Sequence, residues 1–244
     1  MLPLSSHAHR RPHHPRVIEY PQDCLRSALA VLMNMTHNNA DGCKKLVSVS
    51  GLDTVCGVFA RICQTQGVLG DPKELKAWMD ELNGCLGVLI NCAEDSKENC
   101  DQMRALELHG VSPSKVSPSK QPSEGMVRLL AKLISKVMVK ESEGGQHEGH
   151  AEEVTLDALQ HGEGEAAASI VEVYAAILLG FLVEGNKEAQ KNAVMYLPGE
   201  TMAPVVSAVQ KCLQFYVAAG ALTQRTEASL RALLASLQSD TGLF

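Results

Sequence analysis

Apolar and polar positions follow a helical period in three related stretches of the chain, at residues 28–46, 85–103 and 174–192. Each stretch consists of an apolar run, a short polar segment and a second helical run. This order predicts a helix-turn-helix unit that is used three times. Aligned without gaps, the equivalent positions are Leu32, Leu89 and Leu178; Met33, Ile90 and Leu179; Asn34, Asn91 and Gly180; and Cys43, Cys100 and Ala189.

A helical pair of this size cannot bury its own apolar face, so the three copies are expected to stack. Repeats of roughly 40 to 47 residues are typical of armadillo and HEAT solenoids. The copies start farther apart than one such repeat, which predicts an extra helix or a loop insertion between them. We therefore predict an all-α, armadillo/HEAT-like helical repeat solenoid with two disordered insertions.

Composition divides the chain further. The prolines at 113, 118 and 122 exclude a helix around them, and a Glu-, Gly- and His-rich segment follows the next amphipathic helix. The predicted divisions are a disordered basic leader at 1–21, N-terminal helical repeats at 22–108, a Ser/Pro linker at 109–125, a helix at 126–140, an acidic Gly/His-rich insertion at 141–153 and C-terminal helical repeats at 154–240.

Within the repeats, the clearest predicted helix covers 72–93, because Pro72 suits its first position. Gly84 and Gly87 lie inside this helix and predict a kink or a break. In the C-terminal repeats, a short helix is predicted at 155–161 and a separate, strongly apolar helix at 165–183.

Charge and residue usage exclude several classes of protein. The net charge of −6 disfavours a nucleic-acid groove or an anionic membrane surface as partner. Aromatic residues make up only 4%, which disfavours a β-sandwich. Residues 1–6 hold no apolar core of a signal peptide, so the eight cysteines are predicted to be free thiols in an intracellular protein.

Motifs for catalysis are missing from the sequence. It has no Gly-rich phosphate loop, no CxxC pair and no HExxH motif, so we expect no cofactor, no metal site and no enzymatic activity. A cysteine nucleophile paired with a distant histidine is kept as the least favoured hypothesis. The thiols fall on apolar helix faces, where a packing role is the simpler interpretation.

Two polar pairs have alternative interpretations. Asn34 and Asn91 lie near the ends of their helices and are expected to cap the following turns; the alternative is a groove in which they bind the backbone of an extended peptide. Ser112 and Ser117 each precede a proline and a Ser-Lys pair. They are candidate phosphorylation sites for proline-directed kinases, or part of a plain spacer.

Several phrases resemble the C-terminal domain of the wings-apart-like cohesin release factors. They occur in the family's order, with a variable acidic insertion before the helix that contains the phrase at 170–182. The matching phrases are LMNMTHNNADGCKKL at 32–46, LGVLINCAEDSKEN at 86–99, ALQH at 158–161, IVEVYAAILLGFL at 170–182 and YLP at 196–198.

The resemblance implies a non-enzymatic HEAT-like domain that binds cohesin and promotes its release from chromosomes. The implied partners are cohesin subunits and a HEAT-repeat cohesin regulator, with no direct nucleic acid and no membrane, and the implied location is the nucleus, on chromatin. The expected partner-binding residues are Ile170 and Glu172 near the start of the matching helix, together with Gln160 and His161, which precede it, whereas Tyr174 is expected in the core. The alternative function is an armadillo-type adaptor that binds an extended peptide through Asn34 and Asn91.

Overall fold

The computed structural model describes residues 22–65, 72–108, 124–144 and 156–241. These residues form α-helices and one two-residue strand pair. The helices are α1 (Gln22–Thr36), α2 (Ala40–Ser48), α3 (Gly51–Thr65), α4 (Pro72–Ala93), α5 (Lys97–Ala105), α6 (Met126–Gly144), α7 (Leu156–Val183), α8 (Lys187–Val194), α9 (Ala203–Ala218) and α10 (Gln224–Thr241). A short 3-10 helix covers Pro198–Glu200, and β1 (Glu107–Leu108) pairs antiparallel with β2 (Glu124–Gly125). The predicted all-α helical repeat fold is confirmed.

The helices stack in two rows. One row runs from α1 through α4 to α7, and α4 and α7 share the most extensive interface among the described helices. The second row consists of α3, α6 and α9, which pack on α4, α7 and α7 respectively. Each short helix, α2, α5 and α8, links the two rows. The copies start farther apart than one repeat because an additional helix and its connection lie between them. This helix is α3 between the first and second copies and α6 between the second and third.

Two elements differ from the expected pattern. The C-terminal repeats begin with one unbroken helix, α7, instead of two separate helices, because its glycines at 162 and 164 do not interrupt the backbone bonds. Likewise, α4 continues through Gly84 and Gly87 without a break. A glycine lowers helix propensity by only about 1 kcal/mol, which packing against neighbouring helices offsets.

The predicted insertions lie mostly outside the described residues. The leader at 1–21 is outside them, as are 109–123 of the Ser/Pro linker and 145–153 of the acidic insertion. At the edges, strand β2 occupies the last two linker residues, and α6 extends four residues into the predicted insertion. Among the described residues no single helix is long and apolar enough to cross a membrane; the bent pair of α2 and α3 passes that test only when the two are combined.

The three turns between a long and a short helix have the same hydrogen bonds. In each turn, the amide after the long helix bonds back to a carbonyl four residues earlier. The pairs are His37 N to Met33 O at 2.9 Å, Glu94 N to Ile90 O at 2.9 Å and Glu184 N to Gly180 O at 3.0 Å. The predicted helix-turn-helix unit therefore recurs with the same turn geometry.

These bonds place the third copy one residue later than the ungapped alignment does. The equivalent sets are Met33, Ile90 and Gly180; Asn34, Asn91 and Phe181; and Cys43, Cys100 and Gln190. The predicted matches of Gly180 to Asn34 and of Ala189 to Cys43 were therefore wrong. A shift of one residue along a helix rotates a side chain by about 100°. Apolar residues fill most positions of α7, so its sequence does not fix the rotation.

Each short helix begins with a side-chain cap. The side-chain oxygen of the N-cap residue accepts a hydrogen bond from the amide three residues later, which satisfies one of the free donors of the first turn. The pairs are Asn39 with Gly42 at 3.0 Å, Ser96 with Asn99 at 3.2 Å and Asn186 with Ala189 at 2.9 Å. These residues cap the turns in place of Asn34 and Asn91, so the predicted capping residues were wrong.

We expect Ser96→Ala to lower the free energy of unfolding by about 1 kcal/mol, because an amide of α5 loses its acceptor. Urea unfolding followed by circular dichroism measures the change. Ser48→Ala is the matched control, since Ser48 is exposed near the end of α2 and its hydroxyl bonds only locally, to Lys45 O. Equal losses in both variants would contradict the assigned cap.

Candidate functional site

The exposed large apolar side chains of the C-terminal repeat, among the described residues, are Ile170 on α7, Met195 after α8, and Phe215 and Val217 on α9. Ile170 on α7 is 42% exposed, and Phe215 on α9 is 69% exposed. A phenylalanine with most of its surface in water is uncommon on a helix that has a buried face available. Such residues frequently mark a contact surface for another protein.

Contacts between α7 and α9 connect these two residues. The Tyr174 side chain lies close enough to Tyr216 for the two to interact, and the Phe215 and Tyr216 rings meet edge to face with centroids 5.4 Å apart. Ile170 precedes Tyr174 by one helical turn and therefore lies on the same side of α7. We call Ile170, Tyr174, Phe215 and Tyr216 the α7–α9 surface.

Tyr174 contributes to both the core and this surface. It is half-buried and packs against the core, as its predicted core position requires. Burial raises the pKa of the Tyr174 hydroxyl, and the neighbouring Tyr216 and Cys212 raise it further. The hydroxyl is therefore protonated at neutral pH and is available as a hydrogen-bond donor.

The other residues expected to bind a partner are placed differently. Glu172 is half-buried on α7. Gln160 and His161 belong to the backbone of α7, but their side chains lie outside what the structure describes, as do Ser112 and Ser117 altogether. Partner binding by these residues stays a prediction.

Sequence reasoning did not select Phe215. The apolar stripe of α9 contains buried Val205, Val209 and Leu213 together with half-buried Tyr216, and Phe215 lies outside this stripe. The sequence did contain one signal for this exposed residue, namely an aromatic side chain outside the apolar stripe of α9. Its contact with Tyr216 depends on the tertiary structure.

Asn34 and Asn91 do not form a common peptide-binding ladder. The Asn91 amide donates to Met33 O at 3.1 Å and to the Thr36 hydroxyl at 3.0 Å, which ties α4 to the end of α1. Asn34 is exposed on α1. In α7 the equivalent position holds Phe181, an apolar side chain that cannot bond a peptide backbone. The structure thus gives Asn91 a role between helices that the sequence did not predict.

The buried thiols are poorly suited to act as nucleophiles. Burial raises the pKa of both Cys56 and Cys85 to about 12 and those of Cys100 and Cys212 to about 11. These thiols are protonated at neutral pH, whereas the thiolate is the reactive form. Among the described residues, no group of three or more His, Cys, Asp or Glu side chains is arranged to hold a metal ion.

Glu81 is a buried carboxylate on α4 with an unpaired oxygen. It is 8% exposed, and its Oε1 has no hydrogen-bond partner in the part of the chain that the structure describes. Burial raises the pKa of the carboxyl, which the positive charge of Arg26 partly counteracts. The charged form is therefore less stable in the folded chain than in the unfolded chain.

We expect Glu81→Gln to stabilise the protein at pH 7 by on the order of 1 kcal/mol, because the buried charge is removed. Wild-type Glu81 loses its charge as the pH falls, so the gain should disappear below the pKa of an unfolded glutamate, about 4.3. Urea midpoints of both proteins at pH 7 and pH 4 measure this. Glu74→Gln, an exposed position of the same helix, is the control. A gain that is the same at both pH values would contradict a charge effect.

Comparison with known proteins gives two similar sequences. No protein-family model matches the chain. Wings apart-like protein 1 of Arabidopsis thaliana is 24% identical over 235 residues, which cover 89% of this chain and 24% of that protein. Wings apart-like protein 2 of the same plant is 27% identical over 210 residues, or 80% of this chain and 24% of that protein. The chain thus spans about a quarter of the length of these relatives, and it is related to the Wings apart-like proteins.

Proposed function

We propose that the chain is a cohesin-binding regulator that promotes release of cohesin from chromatin through protein–protein contacts, without enzymatic activity. The relationship to Wings apart-like proteins across most of the chain carries this proposal. The proposed partners are cohesin subunits and a HEAT-repeat cohesin regulator, and the proposed location is the nucleus, on chromatin. Roles in sister chromatid cohesion and chromosome segregation follow from this activity.

The α7–α9 surface is the proposed contact site. Aromatic side chains at the centre of an interface frequently contribute most of the binding energy, because they bury a large area at a low cost in conformational entropy. Phe215 and the two tyrosines supply such a group, and the exposed Ile170 extends it along α7. The family-like phrase at 170–182 begins at Ile170, so this proposal joins the sequence resemblance to an exposed surface.

The alternative proposal, an armadillo-type adaptor that binds an extended peptide, has less support. It requires regularly spaced asparagine amides that face solvent. Asn91 already donates to Met33 and Thr36, and only Asn34 is left exposed among the aligned positions. A single amide cannot fix an extended peptide in register.

Affinity purification of the tagged chain from nuclease-treated nuclear extract tests the function. Mass spectrometry should find cohesin subunits enriched over the tag alone, and nuclease treatment removes proteins that are bridged by DNA. If cohesin is absent although circular dichroism shows that the chain is helical, the proposed function is wrong, and the relationship to Wings apart-like proteins indicates only a shared fold. Purified cohesin subunits then serve for the quantitative binding experiments.

A further inference from the structure

A groove with a negatively charged rim lies where the C-terminal ends of α4 and α7 meet the first half of α10. Its volume is about 370 Å³, within the range of about 300 to 1,000 Å³ that small-ligand pockets have. A groove of this size accommodates a side chain and its neighbours rather than a folded domain. We call it the α10 groove, and its lining includes Glu94, Asp95, Phe181, Glu184, Arg225 and Leu233.

Three carboxylates and one guanidinium form the rim of the α10 groove. Arg225 pairs with Asp95, so these two charges compensate each other. In the part of the chain that the structure describes, the Glu94 and Glu184 side chains have neither a salt bridge nor a hydrogen bond. The groove therefore has an excess of two negative charges, from three carboxylates against one guanidinium.

Both uncompensated carboxylates directly follow the C-terminus of a long helix. Glu94 follows α4, and Glu184 follows α7. A helix C-terminus has a partial negative charge, so acidic side chains are unfavourable there and basic ones are favoured. Because α4 and α7 pack side by side, the two helix ends and the two carboxylates contribute negative potential to the same groove. This charge disfavours the free folded chain and favours a cationic ligand.

The α10 groove also has an apolar part. Buried Phe181 and Leu233 line it, next to the small side chains of Ala228 and Ala232 on α10. An arginine side chain matches both features, because its methylene stem packs on apolar groups while its guanidinium forms paired hydrogen bonds with carboxylates. The chain's own Arg225 provides a guanidinium that is already bound by a carboxylate of this rim.

Other classes of ligand fit the α10 groove less well. Among the described residues, no group of three or more His, Cys, Asp or Glu side chains is arranged to hold a metal ion. Phosphate groups and nucleic acids are anionic, so the excess negative charge of the rim repels them. A cationic side chain that is supplied with an apolar stem is therefore the best match.

Segments outside the described residues join the neighbouring helices at ends that are remote from the groove. Residues 66–71 precede α4, and residues 145–155 precede α7. These helices have 22 and 28 residues, which places their starts about 33 and 42 Å from the groove. The C-terminal ends of α1 and α4 are adjacent, because the Asn91 amide donates to the Thr36 hydroxyl, so the start of α1 is also remote. The geometry thus favours a segment of another protein as the occupant.

We propose that the α10 groove binds an arginine side chain in a peptide segment of a partner protein. The guanidinium lies between Glu94 and Glu184, and the methylene stem lies over Phe181 and Leu233. This inference is independent of the proposed function, because the groove shares no residue with the α7–α9 surface.

Nuclear magnetic resonance titration of the isotope-labelled full chain tests the proposal. The probe is a short peptide with one arginine between leucines, and its control has citrulline, which has the shape of arginine without the charge. The arginine peptide should shift the amides of Glu94, Glu184 and Ala228 saturably, with a Kd of about 1 mM or tighter. Added salt should weaken this binding. No saturable shift, or equal affinity for the citrulline peptide, would overturn the proposal.

Substitutions in the full chain locate the binding site. Glu184→Gln removes one carboxylate and should weaken binding about three- to fivefold. Ala228→Leu fills the groove and should weaken binding at least about tenfold. Glu188→Gln is the matched control, because Glu188 is exposed on α8 outside the groove, and it should leave the affinity unchanged. Equal weakening by both glutamine substitutions would indicate general charge attraction and contradict the assigned groove.

The same titration identifies other occupants. Calcium chloride should shift none of these amides; saturable shifts would overturn the proposal in favour of a divalent cation. Deletion of residues 1–21 should leave the peptide affinity unchanged, as should joint replacement of Lys115 and Lys120 by glutamine. A marked increase in affinity after either change would overturn a partner protein in favour of that basic segment of the chain.

Discussion

Replacing Ile170 by aspartate should weaken binding to purified cohesin subunits by about 30-fold or more, equivalent to about 2 kcal/mol, a cost typical of a central interface residue. The substitution places a charge where the α7–α9 surface is proposed to lose water, and removing that charge from water costs free energy. Ile170 is 42% exposed in the free chain, so the fold should tolerate the change. Isothermal titration calorimetry measures the affinity, and circular dichroism confirms helix content.

Val49→Asp provides the matched control. Val49 is 63% exposed at the end of α2, far along the chain from the α7–α9 surface, so the same charge is added at a similar exposure. Equal weakening by both substitutions would indicate a general charge effect and contradict the assigned surface. If Asn34→Ala abolishes binding while Ile170→Asp spares it, the adaptor hypothesis replaces the proposed function.

Replacing Gly84 by leucine should lower the free energy of unfolding by about 3 kcal/mol. A Cβ atom at this position would lie 2.9 Å from the Leu29 Cβ, which α1 holds rigidly because it is next to the backbone. The larger side chain must therefore push α1 away from α4 and open the interface between them. Urea unfolding followed by circular dichroism measures the loss.

Gly57→Leu is the control for the glycine change itself. Gly57 lies inside α3 with open space around it, so leucine there only improves helix propensity, by roughly 0.5 to 1 kcal/mol. The two substitutions should thus change stability in opposite directions. Stabilisation by Gly84→Leu would show that α1 and α4 do not depend on close approach at this point.

Turn and helix patterns were predictable where local chemistry dominates. The three helix-turn-helix units and the start of α4 at Pro72 follow from apolar periodicity and from residues that begin helices. The register of the third copy was not predictable, since α7 is apolar on most faces and its side chains give little information about rotation. Hydrogen bonds of the turn, from Glu184 N to Gly180 O, settle that register.

The candidate site was predictable only in part. Ile170 came from a family-like phrase, but its neighbours Phe215 and Tyr216 are more than forty positions away in sequence. Asn91 was expected to act within its own copy, and it bonds instead to the preceding one. Residues far apart in sequence come into contact only when the helices pack. The spacing of residues along one helix therefore cannot predict which residues of another helix they contact.

By itself, the sequence determined the helices, their triple recurrence and the resemblance to wings-apart-like proteins, because helix period, capping residues and short phrases are local properties. The tertiary structure decided which faces of those helices are covered. Val31 and Val88 occupy equivalent positions with the same side chain, yet one is 56% exposed and the other 0%. The difference is physical: among the described residues, α1 and α3 pack against α4, whereas no described helix covers the same face of α1. Position in the stack, rather than residue type, therefore decides how much of an apolar side chain is exposed.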